Sequence, residues 1–293
     1  MKLLAKFNLI LGVVLGAGLA IAAFISHSFL QDDARAEVVR QARIMMEAML
    51  AARNYTTHQI QPLLVNQQEH QRSFLPQTVP AFAATEDFSY LKAHYPDYAY
   101  KEATLNPTNL RDRAVDWEAD VINIFRNRGA QQKELVAERD TPTGRSLYLA
   151  RPITANQPCL ECHSTPSVAP AAMIRHYGKN NGFGWQLNEV VGAQIVSVPM
   201  AVPEKMAADA FRILVINLSG VFIASMILLD LALIFTVVRP LRQLSKMADQ
   251  ISVGQMDMPE LPVRGKDEIS VLADSFNRMR RSLDRALKML GGS

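Results

Sequence analysis

A chain of 293 residues has room for one to three domains. Its formal net charge of +3 and pI near 8.9 give no nucleic-acid signature, so nucleic acid is excluded as a partner class. Two cysteines cannot build a disulfide framework, and no internal repeat or low-complexity tract appears.

The first element from the N-terminus is an apolar run, Phe7 to Leu30 (FNLILGVVLGAGLAIAAFISHSFL). About 20 residues suffice to cross a hydrocarbon core. The run exceeds the apolar region of a signal peptide, about 7–15 residues, and reads as an uncleaved anchor over residues 1–30. A second run, Ile213 to Val238, predicts a second span over residues 212–238. Lys2 and Lys6 precede the first run; Arg239, Arg242 and Lys246 follow the second. Positive charge stays on the cytoplasmic side. Both ends are therefore expected in the cytoplasm of a bacterial inner-membrane protein, with residues 31–211 in the periplasm and membrane lipid around the spans. Asp230 lies inside the second run and reads as a carboxylate reaching headgroups or a partner helix.

Residues 31–211 begin helically. Val38, Ala42, Met45, Met49 and Ala52 alternate spacings of four and three, a heptad seam that continues the first span outward. Pro62 ends or kinks this helix. A stretch rich in Pro, Asn and aromatics follows, with a turn at Asn106-Pro107 and a short helix expected over residues 111–125. QKELVAERD and RSLYLARPI flank TPTG as strand, turn and strand, and EVVGAQIVSVPM reads as another strand. The fold class expected is α+β, with antiparallel strands behind a helical entrance.

Both cysteines fall in QPCLECHSTP: Cys159, Cys162 and then His163. Cys-x-x-Cys-His is the attachment pattern of a c-type haem. Two thiols add to the two vinyl groups on one edge of the ring, and two intervening residues let both sulfurs reach that edge. The adjacent histidine becomes the proximal iron ligand. A thioredoxin-like dithiol would open a helix in a βαβ pattern, which is absent. A zinc site needs four ligands, and no second Cys/His cluster exists. One covalent haem c is therefore expected at Cys159, Cys162 and His163, with an inert disulfide between the two exported cysteines as the alternative. For the sixth iron position His58 is favoured, then Met49 and Met46; His70, His94, Met173 and His176 are further options, and an open site would suit gas binding. Arg53, Tyr55 and Arg151 are candidate partners of the haem propionates.

The tail, residues 239–293, carries two short stripes. Leu241, Leu244, Ala248 and Ile251 form the first, which Gly254 ends. A connector with Met258, Leu261 and Val263 leads to Ile269, Leu272, Phe276, Met279, Leu283, Ala286 and Leu290. Two such helices cannot bury their stripes alone, but two copies can as a parallel four-helix bundle. With Pro240 past the membrane and Asp267, Glu268 and Ile269 opening the second helix, the tail resembles a HAMP domain, the relay after the last membrane helix of bacterial receptors. A homodimer is implied.

YKEATLNPTN, DWEADVINIFR, YLARPI, PCLECHSTP and YGKNNGFGWQLNEVVGAQIVSVPM together resemble the haem-c, PAS-like sensor family, found outside the membrane in bacterial histidine kinases, cyclic-dinucleotide enzymes and chemoreceptors. The resemblance spans about residues 35 to 205 and implies a PAS-like core holding one haem. Some relatives use a cysteine as distal ligand; this sequence has no third cysteine. The function implied is a transmembrane redox or diatomic-gas (O2, CO, NO) sensor that relays haem state to the HAMP bundle; the alternative is a membrane-anchored c-type cytochrome serving as electron carrier to a redox partner. No acid/base constellation suggests an enzyme. No kinase, cyclase or chemoreceptor hairpin follows residue 290, so output is expected from such a cytoplasmic partner or from residues beyond this sequence; the closing Gly-Gly-Ser reads as a linker.

Overall fold

The computed structural model describes residues 3–66, 72–128, 132–255, 257–262 and 265–290. The chain divides into two units: Ser28–Ala210, and Met1–His27 together with Phe211–Ser293.

Helix α1 (Leu3–Tyr55) is continuous through the predicted seam. Its last turns widen into a π-helical segment, Thr56–Ile60, before a short α2 (Gln61–Leu64). Pro62 explains the widening. It has no N–H to continue the ladder, and a π-bulge absorbs the fault instead of ending the helix. Side chains on this segment bond carbonyls one turn back: Thr56 Oγ1, Thr57 Oγ1 and His58 Nδ1 donate to Ala52, Arg53 and Asn54 at 2.9, 3.0 and 2.9 Å.

Four strands follow: β1 (Ala99–Thr104), β2 (Leu135–Thr141), β3 (Gly144–Thr154) and β4 (Val190–Pro199). They form one antiparallel sheet in the order β1-β4-β3-β2. Between them lie α3 (Pro80–His94), α4 (Asp116–Arg128), α5 (Gln157–His163) and α6 (Ala171–Tyr177). Side chains alternate across a sheet, and both faces are covered. Leu147, Leu149, Val196 and Val198 pack against Val38, Ala42 and Met46 of α1 and Phe88 of α3. Ala150, Ala193 and Ile195 pack against Val121, Ile122 and Phe125 of α4. Each large side chain so buried contributes about 1.5–3 kcal/mol.

The sheet corrects the seam. Val38, Ala42 and Met46 are fully buried against it, while Met45, Met49 and Ala52 are half-buried at its margin. α1 thus turns a core face to its own chain along the predicted stripe, shifted from Met45 to Met46. The helix expected over residues 111–125 is a 3-10 turn, Leu110–Asp112, followed by α4. Strand β1 and helix α3 lie in the segment the sequence left without regular structure.

In the second unit, α7 (Ala201–Leu233) passes through a π-helical segment, Ile234–Val238, into α8 (Arg239–Ser252). Among the described residues, two helical stretches, Leu4–Leu64 and Ala201–Ser252, are long and apolar enough to cross a membrane. Helix α9 (Glu268–Leu290) completes the unit, with Asp267 Oδ1 accepting from Ser270 N (2.8 Å) at its start. These hydrogen bonds hold the exposed Asp267 carboxyl below its usual range. Met247, Ile251, Leu261 and Ala273 form a small core. The buried Asn277 side chain bonds both backbone groups of Leu261 at 3.0 Å, which docks the connector. Lys2 and Val263 lie outside the described residues.

Candidate functional site

The Cys-x-x-Cys-His run forms helix α5 for local reasons. Asn156 caps it: Oδ1 accepts from Cys159 N (3.3 Å) and from the Cys159 thiol (2.9 Å). Pro158 sits in the first turn, where a missing N–H costs nothing. Positions 159, 162 and 163 are three and four apart, so both thiols and the imidazole share one helical face. Both cysteines are free thiols. Cys162 packs with Phe74, Val79, Ala172, Met173, Tyr177 and Phe183. Burial pushes its thiol up, and Glu161 adds to the effect. A redox dithiol needs a lowered thiol pKa, so Cys162 is not set up as one.

His163 is clamped from three sides. Its ring stacks on Trp185, centroids 4.0 Å apart and planes 15° from parallel. Nδ1 lies 2.7 Å from the Gly182 carbonyl and 3.4 Å from Thr108 Oγ1. A carbonyl only accepts, so Nδ1 carries the proton and Nε2 keeps its lone pair. Burial lowers the pKa of the ring, partly offset by the Gly182 bond, so it is neutral at pH 7. The loop behind it is tied in place. Gly184 N and Trp185 N donate to the carbonyls of Ser164 and His163 at the end of α5, at 3.0 and 3.2 Å. Asn106 Oδ1 accepts from Gly182 N at 3.3 Å. Gly182 has φ +82°, and a Cβ there would stand 2.0 Å from Thr108 Oγ1. Only glycine fits.

Charged groups line β1 and the 3-10 turn. Glu102 is buried, paired with Arg53 of α1 and accepting from Tyr100 OH (2.7 Å). Arg111 pairs with Glu86 and lies over the Phe82 ring. Beside it, burial raises the Asp112 carboxyl to about 6, with Glu102 adding to the rise and Arg111 and Lys101 opposing it.

His58 is exposed on the π-helical segment, its Nδ1 also held by a backbone carbonyl. That segment contacts the 3-10 turn Pro76–Thr78, which lies between Phe74 and Val79 of the Cys162 cluster. Met173 is buried within the cluster itself. Met46 and Met49 belong instead to the sheet core. His94 ends α3, beside the start of β1, whereas Thr104 at the other end of β1 leads toward Thr108 and His163. His176 packs on Tyr177 at 4.4 Å. His70 lies outside the described residues. Arg151 is engaged by Glu47 and Glu134 on the α1 side, and Tyr55 is exposed.

The sequence reading did not single out Trp185, Gly182, Thr108 or Phe74. A signal existed for the first two: GKNNGFGW is too glycine-rich for a strand and ends in a large aromatic. Thr108 and Phe74 reach the site through tertiary packing alone.

Among the described residues no group of three or more His, Cys, Asp or Glu could hold a bare metal ion. Two thiols and a neutral imidazole on one helical face, against an apolar and aromatic wall, suit a flat macrocycle whose metal one of these groups could ligate.

Residues 31–199 match the model of the Tll0287-like family, and residues 232–285 match the HAMP domain. The chain belongs to the Tll0287-like family and carries a HAMP domain after its second membrane-length helix. It is 29% identical over 103 residues to the methyl-accepting chemotaxis protein CtpM of Pseudomonas aeruginosa, a match covering 35% of this chain and 18% of that protein. The crystal structure of the cyanobacterial heme-protein Tll0287 superposes with a TM-score of 0.43 at 13% identity, over 56% of this chain and 95% of that one.

Proposed function

We propose that this chain is a homodimeric membrane receptor that carries one haem c outside the membrane and reports its state through the HAMP domain. Cys159 and Cys162 would hold the macrocycle as thioethers, and His163 Nε2 would ligate its iron. Bound there, haem supplies a one-electron couple and a position that a sixth ligand or a diatomic gas can fill. The chain's own residues do the rest. Gly182 and Thr108 fix the imidazole tautomer and Trp185 fixes its plane, the outer-sphere support that metal-ligating histidines use. Arg111 and Arg53, from the 3-10 turn and α1, would meet propionates only by exchanging their Glu86 and Glu102 partners. His58 is the favoured distal residue, with its tautomer fixed as in His163; Met173 is the competitor that the apolar cluster offers.

The observation that carries this reading is the His163 Nδ1 bond to the Gly182 carbonyl. It leaves a neutral ring with its other nitrogen free, beside two unpaired thiols. The HAMP domain supports a receptor over an electron carrier, which needs an anchor but no cytoplasmic relay. A relative named as a chemotaxis receptor points the same way. Output then passes to a chemotaxis, kinase or cyclase module in the cytoplasm, in a partner or in residues beyond this sequence. Conformational change follows only where an effector binds the two receptor states with different free energy.

The test is maturation of the full chain in a host competent for cytochrome c assembly. A c-type pyridine haemochrome and a mass increase of one haem are expected. A colourless chain with unmodified thiols overturns the reading. CO binding by the reduced chain marks a gas sensor; a redox-active chain that excludes CO marks a redox sensor.

A further inference from the structure

Where α1, the turn after α3 and the start of α7 meet, the α+β unit holds an open groove of about 780 Å³. Small-molecule sites have volumes of this order. Its walls are mostly apolar: Leu30 and Ala34 of α1, Tyr95 and Tyr98 of the turn, Val202 and Met206 of α7. Tyr95, Val202 and Met206 stand 58, 65 and 67% exposed, so apolar surface is left for an occupant to cover. The walls are tied in place. Tyr98 N donates to the Tyr95 carbonyl at 3.2 Å, and the two rings meet edge to face with centroids 5.9 Å apart. Met200 N donates to the Arg145 carbonyl at 2.9 Å, which anchors the start of α7 to β3.

Carboxylates supply the groove's charge. Asp33, Glu37 and Asp97 line it, and among the described residues neither lysine nor arginine does. Glu37 is already engaged, by Gln41 Nε2 at 3.3 Å and Arg40 at 3.0 Å. Asp33 and Asp97 have no side-chain hydrogen bond or ion pair among the described residues. His94 also lines the groove, its Nδ1 donating to the Tyr90 carbonyl at 3.2 Å. Two open carboxylates thus share an apolar groove with two tyrosine rings, and an ammonium is attracted by both kinds of group. An anion would meet repulsion there. A phospholipid headgroup fits poorly as well, because its phosphate finds no arginine or lysine in the lining.

We propose that this groove binds a small organic cation, an ammonium on an apolar body, with Asp33 and Asp97 as counter-charges and Tyr95, Tyr98, Val202 and Met206 as the wall against the body. The site is separate from the Cys-x-x-Cys-His helix. Tyr98 precedes the first residue of β1, whereas Thr104 at the strand's other end leads toward Thr108 and His163. An occupant touches α1 and α7 together, the two helices that carry the membrane-length stretches. Binding needs neither haem nor a second copy of the chain; its use as a second stimulus rests on the receptor reading.

Saturation-transfer NMR of 2-phenylethylamine against the full chain in dodecyl maltoside tests it. Saturable binding in the millimolar range is expected, as suits a ligand of this size in an open groove. The neutral 2-phenylethanol, which enters micelles at least as readily, and the anionic 3-phenylpropanoate should not saturate. Asp33→Asn and Asp97→Asn should each weaken the amine about threefold, and the double variant about tenfold. Tyr95→Ala should weaken it several-fold. Tryptophan-monitored unfolding of each variant should match the parent, which keeps a loss of binding from being a loss of fold. Equal binding of the alcohol, or amine binding unmoved by the double variant, overturns the proposal. Displacement of the amine by phosphatidylethanolamine added to the micelles overturns it too, in favour of a lipid headgroup. Absorbance of the same samples reports haem independently: a coloured chain that ignores the amine rejects this site alone, and a colourless chain that binds it supports the site while rejecting the haem reading.

Discussion

The α+β unit and the HAMP unit close their cores differently. In the first, Phe125, Leu147, Leu149 and Val196 are fully buried by their own chain. In the second, Met247, Ile251, Leu261 and Ala273 make a small core, while Leu272, Met279 and Leu283 face outward. A region that completes its own packing can hold a site rigidly. A region that leaves a stripe open depends on a partner, and small changes in how that partner packs alter its state. Rigid site and responsive relay are the two halves a receptor needs.

The largest test of that contrast uses truncations in each core. Phe125→Ala is expected to cost about 3–5 kcal/mol. Both tryptophans, Trp117 and Trp185, lie in the α+β unit, so their fluorescence during denaturation reads that unit alone. Leu283→Ala should leave this transition unchanged and weaken dimerisation. If Leu283→Ala lowers the tryptophan transition as much as Phe125→Ala, the two units are not separately closed.

Gly182→Ala sharpens the claim of rigidity. The substitution strains a left-handed backbone and drives a Cβ into Thr108, at about 1–3 kcal/mol. The His163 Nδ1 bond should weaken with it, read as a shifted midpoint potential and iron–histidine stretch in the haem-loaded chain. An unchanged spectrum and unfolding curve would show that the loop does not position His163. In the other unit, Asn277→Ala leaves both backbone groups of Leu261 unmet, for about 1–3 kcal/mol. Hydrogen exchange at the Leu261 amide should quicken while the sheet amides stay protected.

How much of this was legible in the sequence depends on range. The Cys-x-x-Cys-His run, its helical cap and the hairpin at TPTG are local, and local chemistry wrote them plainly: Asn156 and Pro158 start α5, and Gly144 with φ +116° closes the turn. Strand β1 was not legible. AYKEAT is short and carries Lys101 and Glu102, whose charges are met across the fold by Glu118 on α4 and Arg53 on α1. The heptad seam was half legible, because the spacing identifies a buried stripe without saying whether a sheet or another helix covers it. Trp185 became a site residue only when the loop after α6 folded back on α5, a contact that no periodicity encodes.

The smallest effect separates burial from charge at the edge of the site. Asp112 is raised to about 6 in the fold from 3.8, with burial the main cause. Between those values the folded chain binds more protons than the unfolded one, so stability falls as pH rises. The contribution is fully present below about pH 3.8 and is lost as pH passes about 6. Asp112→Asn removes the ionisation and should stabilise the α+β unit at pH 8 by about 1–2 kcal/mol, discounted because the carboxyl is partly exposed, with little effect at pH 4. Tryptophan-monitored unfolding at both pH values decides it. A gain of equal size at both would assign the effect to packing of the amide, and a loss at pH 8 would mean that the Arg111 and Lys101 charges outweigh burial at this carboxylate.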